Sequence, residues 1–168
     1  MLKPSLLLAL MIVGAVSPAM AATAAERYGN ARFGYWVTIP AGFTCGDESD
    51  NGDGKSCTSA DGAAKLAVWG GYTGTVADDG FSGEVKFDMK SDADDGLKIT
   101  YAKMTSSWAS YSGTDKDGQI VYRRMISGCK DSQYAAFELT YPPSEAAAMK
   151  PVVEQLVPSL KQETCSAN

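Results

Sequence analysis

Between Cys45 and Cys57 the chain reads Asp50-Asn51-Gly52-Asp53-Gly54, which packs two favoured hairpin-turn dipeptides, Asn-Gly and Asp-Gly, into one short run. A cysteine on either arm of such a turn calls for two extended segments lying side by side. Cys129 and Cys165 complete an even set of four. Four cysteines allow three disulfide connectivities; Cys45–Cys57 across the turn and Cys129–Cys165 at the C-terminal tail is the favoured one. Zinc is the competing use of cysteine, but the chain has no CxxC pair and no histidine.

The start of the chain agrees with an oxidising destination. Lys3 precedes an apolar run from Leu6 to Val16, and Ala19-Met20-Ala21 offers the small–x–small pattern of a signal-peptidase site. The run is shorter than the ~20 residues of a membrane span, and Pro18 closes it. The expectation is a signal peptide over residues 1–21, then a single exported globular domain over 22–168 in the periplasm or medium, without stable membrane insertion. Loss of Lys3, the only charge in the leader, takes the net charge from −5 to about −6. An acidic domain without a basic run is a poor match for nucleic acid or anionic membrane.

Along the mature part, Phe33, Tyr35, Val37 and Ile39 alternate before Pro40, and Leu66, Val68 and Tyr72 keep strand phase within residues 65–72. Phe81, Val85 and Met89 recur at helical spacing, although Val85, Phe87 and Met89 also alternate; a helix over about residues 78–94 is expected, ending near Gly96. Strands are expected over 97–103, 108–112 and 119–126, the last two joined by Asp117-Gly118, and over 134–141 with Phe137, Leu139 and Tyr141 inward. Ser144 is placed to cap a terminal helix with Met149, Val153, Leu156 and Leu160 as its apolar stripe, and Pro151 and Pro158 predict a kink or break in it. This order specifies an α+β domain: an antiparallel sheet with helices packed on it.

Three stretches, RFGYWVTIP (32–40), DNGDGKSCTSADGAAKLAVWG (50–70) and the tail from Tyr122 to Leu160, resemble small secreted bacterial proteins with the PsbP-like α/β/α sandwich. The resemblance is one of pattern and covers nearly all of the mature chain. It implies that fold and a binding rather than catalytic style of work, as in a photosystem accessory subunit, a Ran-binding import factor and periplasmic immunity proteins. No shared active site comes with it.

The candidate chemistry is sparse. Without histidine, Ser-His-Asp and Cys-His catalysis are excluded in their ordinary forms. Asp50, Asn51 and Asp53 are candidate calcium ligands in an EF-hand-like run, but Ala60 stands where the bidentate Glu belongs, and a plain turn uses the same residues. Ser127-Gly128-Cys129-Lys130 fits S-x-x-K without its companion motifs. The pairs Asp78-Asp79 and Asp94-Asp95 raise a two-carboxylate glycan hydrolase. Trp36, Trp69 and Trp108 are candidate partner contacts, with Trp36 and Trp69 expected on one shared sheet face that is either exposed or covered by a helix. The leading expectation is a non-enzymatic periplasmic or secreted binding or accessory protein (an inhibitor, immunity or envelope-accessory type) without a cofactor, whose partner is another envelope protein. A glycan-acting carboxylate enzyme and a calcium-stabilised structural protein are the alternatives.

Overall fold

Period-two alternation dominates the chain, and strands follow it. In the computed structural model, which describes residues 24–75, 79–163 and 165, the elements run β1 (Glu26–Asn30), β2 (Tyr35–Ile39), β3 (Phe43–Glu48), β4 (Gly54–Ser59), β5 (Lys65–Tyr72), α1 (Gly80–Asp94), β6 (Lys98–Met104), β7 (Trp108–Thr114), β8 (Ile120–Gly128), β9 (Gln133–Tyr141), α2 (Ala146–Ser159) and β10 (Lys161–Gln162). The leader over 1–21 and its boundary at Ala22 lie outside the described residues. Seven strands form one antiparallel sheet in the order β3-β4-β5-β9-β8-β7-β6, while β1, β2 and β10 form a second, smaller sheet. The Phe33–Ile39 alternation therefore belongs to a separate layer rather than to one common sheet.

Two cores lie on opposite faces of the large sheet. On one, Leu66, Val68, Phe137 and Leu139 meet Tyr35, Val37 and Ile39 of β2 and Leu156 of α2. On the other, Phe81 and Val85 of α1 pack on Ala109, Tyr111, Val121, Met125 and Ala136. The α1 segment is helical because Phe81, Val85 and Met89 share one helical face toward this core, whereas a strand would leave Val85, Phe87 and Met89 together; Phe87 is instead exposed. Its end is set by Gly96 at φ +105°, with the Gly96 N–H bonded back to the Ala93 carbonyl.

The terminal helix departs from expectation twice. Ser144 makes no cap: Pro143–Glu145 form a 3₁₀ turn, whose first bond runs from the Glu145 N–H to the Pro142 carbonyl. Pro151 and Pro158 do not break α2, which continues through both to Ser159. Both prolines lie on the exposed side, where water can take the carbonyls they leave free. The opposite side packs Met149, Val152, Val153, Leu156 and Val157 into the core.

Phe137 is fully buried at the middle of the sheet, whereas Phe87 is 47% exposed. Phe137→Ala is therefore expected to lower unfolding free energy by ~3–5 kcal/mol. Phe87→Ala should stay within about 0.5 kcal/mol of the parent. Urea titrations of the two variants make the comparison.

Candidate functional site

Alternation sends neighbouring side chains of a strand to opposite faces, so the adjacent Arg123 and Arg124 of β8 enter different environments. Arg123 points under α1. Its guanidinium pairs with Asp88 at 3.4 Å, Asp92 at 3.2 Å and Glu138, and lies 5.3 Å from the Trp69 ring and 5.5 Å from Tyr111. The Tyr111 hydroxyl donates to Asp92 Oδ2 at 2.8 Å. Burial pushes the Asp88 carboxyl up to about 6; Arg123 opposes this, while Asp92 and Glu84 add to it. Burial raises Asp92 as well, against Arg123 and the Tyr111 hydrogen bond. Burial alone would lower Arg123, but the acidic groups and Tyr111 around it hold it above its ordinary range.

A cleft of about 170 Å³ opens beside this cluster, between Asp92, Asp95, Asp115, Arg123 and Glu138. It is small against the ~300–1,000 Å³ of ordinary ligand sites, and Asp88, Asp92 and Glu138 all have Arg123 as a partner. Of the aspartates considered for hydrolysis, Asp79 pairs with Lys86, Asp94 pairs with Lys90, Asp95 lines this cleft, and Asp78 lies outside the described residues.

Arg124 points the other way, onto a part of the large sheet that neither helix covers. Its guanidinium stacks 4.2 Å from the Trp108 ring centroid, and Nη1 donates to Ser110 Oγ at 3.1 Å. Lys103 approaches the same ring at 5.5 Å from the edge strand. Pairing of Tyr101 with Ser112, Lys103 with Ser110, and Ser112 with Tyr122 brings these side chains onto one face. Tyr101 is 47% exposed. Sequence reading singled out Trp108 but missed Tyr101, Lys103, Tyr122 and Arg124, which only the register of three strands brings beside it.

The other tryptophans do not share a face, contrary to expectation. Trp36 sits on the outer face of the small sheet, with its ring laid over Gly29, where an added Cβ would come within 2.4 Å of it. Arg27 stacks on it at 4.2 Å and pairs with Glu163. Trp69 lies against the α1 core of the large sheet. Two different sheets carry them, so strand phase alone could not relate them.

The turn between Cys45 and Cys57 is held by its own side chains. Ser49 Oγ donates to Asp53 Oδ1 at 2.5 Å and Asn51 Nδ2 to Asp53 Oδ2 at 2.8 Å, while Gly52 takes φ +67°. Arg32 donates to the Asn51 carbonyl, and Tyr35 to that of Asp53 at 3.0 Å. Both oxygens of the Asp53 carboxylate thus accept bonds within the loop, and Asp50 is exposed. The disulfides are Cys45–Cys57, across β3 and β4, and Cys129–Cys165. In the S-x-x-K run, Cys129 and Lys130 leave β8 in a left-handed turn with Asp131, φ 53°, 54° and 69°. Ser127 Oγ donates to Asp131 Oδ1, which also accepts the Phe81 N–H at the start of α1. Lys130 is therefore not one helical turn from Ser127, as the acyltransferase motif requires.

The layer order, α1 on one face of the sheet and α2 with the small sheet on the other, has solved counterparts. The solution structure of cyanobacterial PsbP (CyanoP) from Synechocystis sp. PCC 6803 matches with a TM-score of 0.63 at 13% identity, covering 90% of this chain and 99% of that one. The fold is PsbP-like. The Saccharomyces cerevisiae Ran-binding protein Mog1p matches with a TM-score of 0.55 at 9% identity, covering 82% of this chain and 95% of that one. At these identities the likeness is one of fold. No family model and no curated protein matches the sequence.

Two measurements check the site. The chain has no histidine, so the raised carboxyls should dominate the pH dependence of folding stability between pH 5 and 7. A folded-state pKa above the unfolded one means that the native state binds more protons, so stability should rise as pH falls from about 7 to 5. Asp88→Asn, with its charge removed, should flatten that rise in urea titrations. At the loop, millimolar calcium should leave Tm unchanged in the parent and in Asp53→Asn alike, and that substitution, which turns one accepting oxygen into a donor, should cost about 0.5–1.5 kcal/mol of stability. A true site would stabilise by ~2.7 kcal/mol at a hundredfold excess over Kd.

Proposed function

We propose that the protein is an exported, non-catalytic binding or accessory module that docks an envelope protein on the open face of β6, β7 and β8. The observation that carries this reading is the cluster of Tyr101, Lys103, Trp108 and Arg124, which stand outside both cores on the sheet face where Tyr122, stacked on Phe137, marks the edge of the packed core. Aromatics and arginine dominate binding hot spots because they bury much area with little loss of side-chain freedom. The PsbP-like fold supports the reading, since its solved neighbours include a cyanobacterial PsbP and a Ran-binding protein. The leader pattern and two disulfides support an oxidising compartment, and no described helix is long and apolar enough to cross a membrane.

A carboxylate enzyme acting on glycans is the second reading, favoured by one observation: Asp88, with its raised pKa, shares Arg123 with Asp92, which lines a cleft. Each of these carboxylates already pairs with Arg123, which suits a structural network better than proton transfer to a substrate.

Site-specific photocrosslinking in envelope preparations separates the readings. A benzophenone side chain at position 101 should capture one discrete protein, and the same group at position 87, on α1, should not. Equal capture at both positions would contradict the docking face. Release of reducing sugar from envelope glycan, lost in Asp88→Asn, would establish the enzyme instead.

A further inference from the structure

The open face is positively charged in a protein whose net charge is −5. Strands β6, β7 and β8 contain Lys98, Lys103, Arg123 and Arg124 and not one Asp or Glu. Arg123 is neutralised under α1, which leaves Lys98, Lys103 and Arg124 for the open side. None of these three makes an ion pair among the described residues. Arg124 is part-buried, its Nε is buried without a hydrogen-bond partner, and desolvation lowers its pKa. A partly desolvated cation with no counter-charge is unfavourable alone and favourable once an anion arrives.

The shape of the anion is constrained by the sheet. Among the described residues β6 pairs only with β7, which leaves its outer backbone edge without a strand partner, and it is exposed along almost its whole length. Tyr101 and Met104, two of the four exposed large apolar side chains among the described residues, stand on it. Lysines on an edge strand repel a second identical edge, which protects against self-pairing, but they do not repel an acidic strand. A polypeptide can use the open edge through its main chain; a glycan cannot.

We propose that β6 accepts an extended acidic segment of a partner protein as an added strand, with alternate Asp or Glu side chains over the open face beside Lys98 and Lys103, and Arg124 adding positive charge from two strands further in. This rests on the docking reading above and adds the chemistry of the partner. The opposite edge strand, β3, carries Asp47 and Glu48, so pairing of β3 on one copy with β6 on another is the competing occupant.

The probe is a synthetic peptide of alternating Glu and Thr, one strand in length, titrated at low salt into isotopically labelled protein and followed by backbone amide NMR. Shifts should centre on β6 and its neighbours and fade with added salt. Lys98→Glu with Lys103→Glu should weaken binding by about tenfold or more, and Arg124→Gln should weaken it less. Lys86→Glu with Lys90→Glu, on the outer side of α1, should bind as the parent does. Thermal melts verify folding of each variant. Equal affinity for a Lys–Thr peptide, or an unchanged affinity in the Lys98/Lys103 variant, would overturn the proposal. So would polygalacturonate binding that moves the Tyr101 and Trp108 side-chain signals but not the β6 backbone amides, or concentration-dependent association through β3. Crosslinking at position 101 that succeeds while the Glu–Thr peptide fails would discard the acidic strand and leave the docking face standing.

Discussion

Ala136 and Phe137 are neighbours on β9, and each is completely buried in a different core. A strand with both faces buried has to be roofed from both sides, and the rest of the chain supplies the roofs. α1 closes the Ala136 side. The small sheet and α2 close the Phe137 side, anchored by Tyr35, Val37 and Leu156. The PsbP-like layer order follows from this one condition. A strand in that position also needs backbone partners on both edges, and β5 and β8 provide them over nearly its full length.

The two roofs differ in reach. α1 extends over β7 and β8, holding Tyr111, Val121 and Met125 and neutralising Arg123 with carboxylates from its own second half and from β9. The opposite roof is centred on β5 and β9, and it stops short of β6. Trp108, Tyr101 and the Arg124 guanidinium are left at the boundary between packed core and water. Strand pleating makes this economical: one Arg-Arg dipeptide serves the internal charge network with its first residue and the outer face with its second. Internal stability and outer recognition are thus carried by adjacent positions with separate surroundings.

Much of the architecture was legible in the chain. The Asp/Asn/Gly turn between Cys45 and Cys57, the Asp117-Gly118 hairpin and the alternation over 134–141 each agree with an observed strand pair, because turn chemistry and burial act locally and in the same direction there. The small sheet was hidden because β1, Glu-Arg-Tyr-Gly-Asn, has little apolar content and β10 is only two residues long. Continuity of α2 through two prolines was illegible because propensity describes an isolated helix, while packing of its Leu156 side decides the outcome here. Of the candidate site, only Trp108 was visible. Its companions come from β6 and β8, and register between strands is a tertiary property that residue spacing does not encode.

Hydroxyl-radical footprinting of the free mature protein reads the uneven roofing directly. Tyr101 should be oxidised rapidly and the half-buried Trp108 at a measurable rate, while Tyr111 and Met125, buried beneath α1, should be protected until the protein unfolds. Slow oxidation at Tyr101 and Trp108, at the rate of Tyr111, would mean that the face is covered in the free protein and would contradict the account.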